Sequence, residues 1–149
     1  MKYDHYTDQI LQILHKDGRI SNIELAERIG LSASACLRRV QELERTGVIS
    51  GYRAVINQAK LGRGFVAYVS VGLNEHTTAS QRAFEKAVAL SREVRECHNI
   101  TGAFEYLLRV ETSDIQAYKQ FHADVLGAIV QVSTITTHVV MDSAKDERA

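Results

Sequence analysis

Residues 21–49, SNIELAERIGLSASACLRRVQELERTGVI, decide the fold. Ser21 stands three residues before Glu24, the spacing of a capping box that satisfies the free backbone donors of a helix start. Ile23, Ala26 and Ile29 then recur at helical spacing until Gly30 interrupts the run, with Leu31 anchoring the turn. Ser32 is placed to cap a second helix, with a predicted buried stripe of Leu37, Val40 and Leu43 and an end marked by Gly47. Two short helices joined by a glycine turn form a helix-turn-helix, the unit that lays its second helix in a DNA major groove. Here that second helix opens with small polar residues and continues with Arg38–Arg39, sizes and charges that suit such a groove.

Working outward, a further helix precedes the pair. Thr7 is its expected cap, Ile10, Leu11, Ile13 and Leu14 give it a wide apolar face, and Gly18 is the expected left-handed terminator. Val48, Ile49 and Ile56 are predicted to close the three-helix core. The stretch from Val48 to Asn57 reads as strand-like, with Gly51 turning between the two short strands of a wing. The polar run NQAKLGRG then marks a boundary. Beyond it, Phe65–Leu73 reads as a strand, His76–Leu90 as a helix with Phe84, Ala87 and Val88 on one face, and Val94–Ile100 and Tyr106–Glu111 as two strands. Ser113 is the expected cap of a helix bearing Ile115, Tyr118, Phe121 and Val125, ended by Gly127, and Val130–Met141 reads as a last strand. The fold class is therefore α+β: an N-terminal winged helix-turn-helix over 1–57, a linker over 58–64, a ferredoxin-like βαββαβ domain over 65–142 and a charged tail over 143–149.

Composition narrows the function classes. With 149 residues and 45% hydrophobic residues the chain can fill two small cores, yet no apolar run approaches the ~20 residues of a membrane span. The start, MKYDHYTDQI, has no secretory apolar region, so a cytoplasmic protein is expected. Net charge is zero overall, but residues 1–62 hold 9 Lys/Arg against 7 Asp/Glu and the remainder 9 against 11. That asymmetry has the sign expected if the front half meets phosphate. Cys36 and Cys97 form no metal-binding spacing, alone or with the six histidines, and no nucleophile–base order stands out. Neither a cofactor nor catalysis is implied.

The stretches DGRISNIELAERIGLSASACLRRVQELERTGVISGY, ECHNITGAFEYLLRV, AYKQF and THVVM, in this order, resemble the Lrp/AsnC family of prokaryotic transcription regulators over nearly the whole chain. The resemblance implies double-stranded DNA as partner, a homodimer formed through the C-terminal effector (RAM) domains, higher homo-oligomers up to an octamer, and a small-molecule effector, an amino acid. The ligand loop of the family maps onto Thr101, Gly102, Ala103, Phe104 and Glu105. Many relatives have an acid or amide where Ala103 stands, and an aspartate where Glu105 stands. Glu105 is thus the one acid in this loop that can meet a ligand ammonium, and the expectation is that a smaller or apolar amino acid such as leucine or methionine binds weakly, or that no amino acid binds.

Each candidate has an ordinary alternative. Ser32, Ser34, Ala35, Arg38, Arg39 and Glu42 are the DNA-binding candidates: the serines donate to phosphate at the helix start, and Arg38 or Arg39 reaches guanine O6 and N7. The alternative is a solvated face on which Glu42 and Glu44 pair with the arginines, and Arg39 in particular suits a structural salt bridge. Cys36 reads as a small core residue. The loop Thr101–Glu105 reads as an effector site only through the family resemblance, and otherwise as a hairpin turn. Thr134 and Thr136 are further effector candidates, or plain strand threonines. The competing function is that of haem-pathway decarboxylases sharing this architecture, which would need His and Arg residues lining a tetrapyrrole pocket.

Overall fold

The structure, a computed structural model, describes residues 3–148. It divides into two compact units that meet between Val55 and Ile56. The first holds three helices: α1 (His5–Lys16), α2 (Asn22–Ile29) and α3 (Ala33–Arg45). Ile10, Leu25, Ala26, Ile29, Cys36 and Leu43 form its buried core, flanked by Leu11, Ile13, Leu14, Ile20, Leu31, Val40 and Ile49.

Several local details differ from the sequence expectations. Asp4, not Thr7, caps α1 by accepting the Thr7 N–H, and Thr7 is buried inside the first turn. An aspartate one turn earlier competes successfully because its carboxylate also meets a cation, described below. Gly18 has no positive φ; a Cβ there would press on the Tyr52 ring at 3.2 Å, so packing accounts for the glycine. The capping box is half formed: Ser21 accepts the Glu24 N–H, while the Glu24 carboxylate turns forward to Arg28 at 2.6 Å. Leu25 takes the buried place on α2 that had been expected of Ile23, which is 66% exposed. Gly30 does end α2 in the left-handed conformation, with φ +74°. Among the described residues no strand forms between Val48 and Asn57, so the expected wing ladder is absent; Ile49 packs on the core, but Val48 and Ile56 stay exposed. A two-stranded ribbon without a third strand or a covering helix has little to hold it together.

The second unit opens with a 3-10 turn, Gln58–Leu61, and continues as β1 (Phe65–Leu73), α4 (Thr78–Ala89), β2 (Val94–Asn99), β3 (Tyr106–Thr112), α5 (Ile115–Phe121) and β4 (Val132–Val139). The four strands form one antiparallel sheet in the order β2-β3-β1-β4. α4 and α5 lie on the same face, where Ala67, Val69, Val71, Leu108 and Val110 pack with Phe84, Val88, Tyr118 and Phe121. Asp114, not Ser113, caps α5, accepting the Ala117 N–H. After Phe121 the helix widens into a π turn, His122–Leu126, closed by the Gly127 N–H on the His122 carbonyl at 2.8 Å. The extra residue per turn moves the next fully buried position to Leu126 and leaves Val125 half-buried.

Val69, Val71 and Leu108 are fully buried on the helix side and do not line the open face of the sheet, away from the helices. The open face instead carries Tyr68, Leu107, Thr136 and His138 together with an ion network. In it Arg109 pairs with Glu111 and Glu96, and Arg148 reaches Glu96 at 2.8 Å. Strand alternation explains this, because a shift of one residue exchanges the two faces.

Candidate functional site

The phase of α3 decides which side chains can meet DNA. Cys36 and Leu43 are buried and Val40 is half-buried, so the inward stripe runs through Cys36 and not through Leu37, which is 44% exposed. The larger Leu37 captured the stripe in the sequence reading; the i, i+4, i+7 spacing of Cys36, Val40 and Leu43 was equally available. With the inward stripe so placed, Ser34, Arg38 and Gln41 share the opposite, exposed strip. Gln41 was not foreseen, although it lies one turn beyond Arg38 and offers the amide that pairs with adenine N6 and N7.

The other candidates are committed within the domain. Ser32 Oγ caps α3 by accepting the Ala35 N–H at 3.2 Å and stands 3.4 Å from Ser34 Oγ; Ala35 itself is half-buried. Arg39 donates to both carboxylate oxygens of Asp4 at 2.8 Å, and its guanidinium lies 5.3 Å from the Tyr6 ring centroid. The Thr7 N–H, and after it Arg39, bring the Asp4 carboxyl down to about 2. Glu42 accepts two bonds from Arg45, at 2.8 and 2.6 Å, which hold its carboxyl below the usual range. Glu44 accepts the Tyr52 hydroxyl at 2.8 Å. Both acids therefore find partners as the solvated-face reading required, but those partners are Arg45 and Tyr52. Arg38 has no hydrogen-bond or ion-pair partner among the described residues.

A second candidate site lies at one end of the sheet, around the turn joining β2 to β3. Gly102 has φ +113°, a backbone conformation that favours glycine. Thr101, Gly102 and Ala103 are exposed and Phe104 is half-buried. Glu105 turns inward, with 15% of its side chain exposed. Its Oε2 accepts the Leu73 N–H at 2.9 Å, and its Oε1 lies 2.6 Å from His76 Nδ1. The Leu73 N–H is the main reason its carboxyl stays below the ordinary glutamate range. Opposite on β4, Thr134 pairs with Gly72, and a Cβ at Gly72 would collide with Thr134 Oγ1 and come within 3.6 Å of Glu105 Oε2. Glu105, Gly72, Leu73 and Thr134 thus converge. Thr136 lies two residues further along β4, exposed and opposite Ser70. His76 and Gly72 were not foreseen; a glycine at the last position but one of the strand was the available signal for Gly72.

A capped helix-turn-helix with an unpaired arginine on its outer helix, joined to a ferredoxin-like domain, defines a DNA-binding regulator with a separate ligand-binding unit. The comparisons agree. Residues 4–50 match the winged helix-turn-helix DNA-binding model and residues 66–149 the Lrp/AsnC ligand binding domain. The chain belongs to the Lrp/AsnC family of transcription regulators. It is similar to the proline dehydrogenase transcriptional activator of Rhizobium radiobacter, 41% identical over 96% of this chain and 92% of that protein. It is also similar to the leucine-responsive regulatory protein of Escherichia coli K12, 39% identical over 95% of this chain and 87% of that one. Among solved structures, a transcriptional regulator of Neisseria meningitidis in complex with L-Met superposes with a TM-score of 0.93 at 31% identity, covering 97% of this chain and 94% of that chain. An AsnC family regulator from Agrobacterium tumefaciens gives 0.90 at 30% identity, over 97% and 94%. These relatives are named as regulators and none as a decarboxylase. Among the described residues no helix is long and apolar enough to cross a membrane.

Proposed function

We propose that this regulator reads DNA through Arg38, with Ser32, Ser34 and Gln41 beside it, and takes an amino acid at the Thr101–Glu105 turn with Thr134 and Thr136. Ala35 and Glu42 serve the helix more than the base edges, the first by packing and the second through Arg45. The observation that carries the DNA assignment is the free Arg38 guanidinium on a helix whose other arginines, Arg39 and Arg45, are both paired. For the effector assignment it is the convergence of an ionised Glu105 with the close-approach position Gly72. An apolar amino acid, methionine first and leucine second, is the favoured effector, since a relative of the same fold is solved with L-Met and another is named for its response to leucine. The working assembly is a homodimer or an octamer built from four such dimers, in the cytoplasm, with residues 1–57 as the reading domain, 58–64 as connection and 65–142 as the sensing domain. The half-buried Tyr68, Leu107 and Arg109 on the open sheet face support an oligomer, because they are partly desolvated with no helix over them.

The test is a thermal-shift screen of the full chain against the twenty amino acids. A ligand that binds only the native state at a hundred times its Kd adds about 2.7 kcal/mol to apparent stability. L-methionine or L-leucine should raise the midpoint by several degrees and the charged amino acids should not. A screen in which no amino acid moves the midpoint contradicts the effector assignment.

A further inference from the structure

In the structure both oxygens of the Glu105 carboxylate are already taken by the chain itself. Oε2 is bound by a backbone N–H that cannot leave without opening the end of β1, whereas among the described residues Oε1 is held by His76 alone. His76 stands on the connection between β1 and α4, outside both elements, and 79% of its side chain is exposed. It can swing away at little cost in packing. An incoming primary ammonium that approaches this carboxylate at Oε1 meets His76 there.

We infer that His76 is the gate of the effector site: its imidazole occupies the position on Glu105 Oε1 that the ligand's α-ammonium takes on binding. The inference rests on the effector reading above and names the chain's own competitor for the ligand. The groups that come together here are uncharged on β4 (Ser133 and Thr134) and on the end of β1 (Gly72, Leu73). The titratable ones are Glu105 on the β2–β3 turn, His76, and the exposed Glu75 beside it in sequence. An ammonium on this carboxylate makes a charge-assisted hydrogen bond, and the imidazole must leave Oε1 for it to form there. Binding therefore releases His76 to solvent, and a chain without this side chain has no competitor to displace.

Calorimetry of the full chain with L-methionine, in the parent, in His76→Ala and in His76→Gln, tests this. His76→Ala should bind L-methionine several-fold more tightly than the parent, and His76→Gln, which keeps a neutral amide donor, should fall between the two. An affinity of His76→Ala equal to or weaker than that of the parent overturns the role of His76 and leaves the effector reading standing. Absence of binding heat in the parent and in His76→Ala alike overturns the effector reading and this inference together.

Discussion

A helix turns about 100° per residue, so Arg38 and Arg39 leave α3 in different directions and meet different partners. Arg39 turns back to α1, where Asp4 takes it as an ion pair and as part of the helix cap. Arg38 turns outward and finds no hydrogen-bond or ion-pair partner among the described residues. Replacing Arg38 with alanine should therefore cost about 1–3 kcal/mol of base discrimination if its contact is bidentate, and leave the thermal midpoint in place. Arg39→Ala should lower the midpoint and preserve base preference. Competition anisotropy on single-base operator variants, set beside thermal melts, separates the two; a loss of base preference from Arg39→Ala alone would reverse the assignments. Asp4 adds a pH signature. Its carboxyl is drawn from 3.8 down to about 2 in the folded chain, so the cap and ion pair contribute their stability above the ordinary carboxylate range. That contribution fades as the pH falls from about 4 toward about 2. Asp4→Asn should thus be less stable than the parent near neutral pH, with the difference shrinking on acidification. A difference in melting midpoint that is constant with pH contradicts this.

At the scale of elements, the order of helices and strands was legible because apolar periodicity is long and redundant. The errors fall where one residue decides. On α3 the buried stripe follows Cys36 and not Leu37, since a small thiol fits where the three helices meet. Leu43→Ala should accordingly cost about 2–5 kcal/mol as a cavity in a filled core. Leu37→Ala should stay within about 0.5 kcal/mol, as substitutions at exposed positions usually do. Urea unfolding of the two variants measures both, and a large loss from Leu37→Ala would restore the other phase. The caps of α1 and α5 are Asp4 and Asp114, each accepting the N–H three residues on, so α1 starts three residues before and α5 one residue after the places that Thr7 and Ser113 marked. The wing failed for want of a partner for its strands, and the π turn after Phe121 had no signature that spacing alone could reveal. Gln41 and His76 were missed for a different reason: neither lies in a pattern, and each acquires meaning only from what stands beside it. The inward turn of Glu105 also depends on a backbone N–H from a strand 32 residues away.

At the scale of the molecule, a DNA-reading unit and a ligand-binding unit on one chain give regulation only if the first is presented to DNA in a defined geometry. A symmetric pair of chains presents two copies of α3, and its operator must carry dyad-related half-sites separated by whole turns of the duplex. In the proposed reading the front unit makes the specific contacts through Arg38 and its neighbours, and the charge difference between the two halves of the chain favours phosphate at that unit. The most direct measurement is a nuclease footprint of the full chain on the DNA upstream of its own coding sequence, run with the parent and with Arg38→Ala. The parent should protect two related patches whose centres lie a multiple of about 10.5 base pairs apart, and Arg38→Ala should lose both together. No protection by the parent at any concentration that saturates non-specific competitor, or two patches that Arg38→Ala leaves unchanged, would contradict the account.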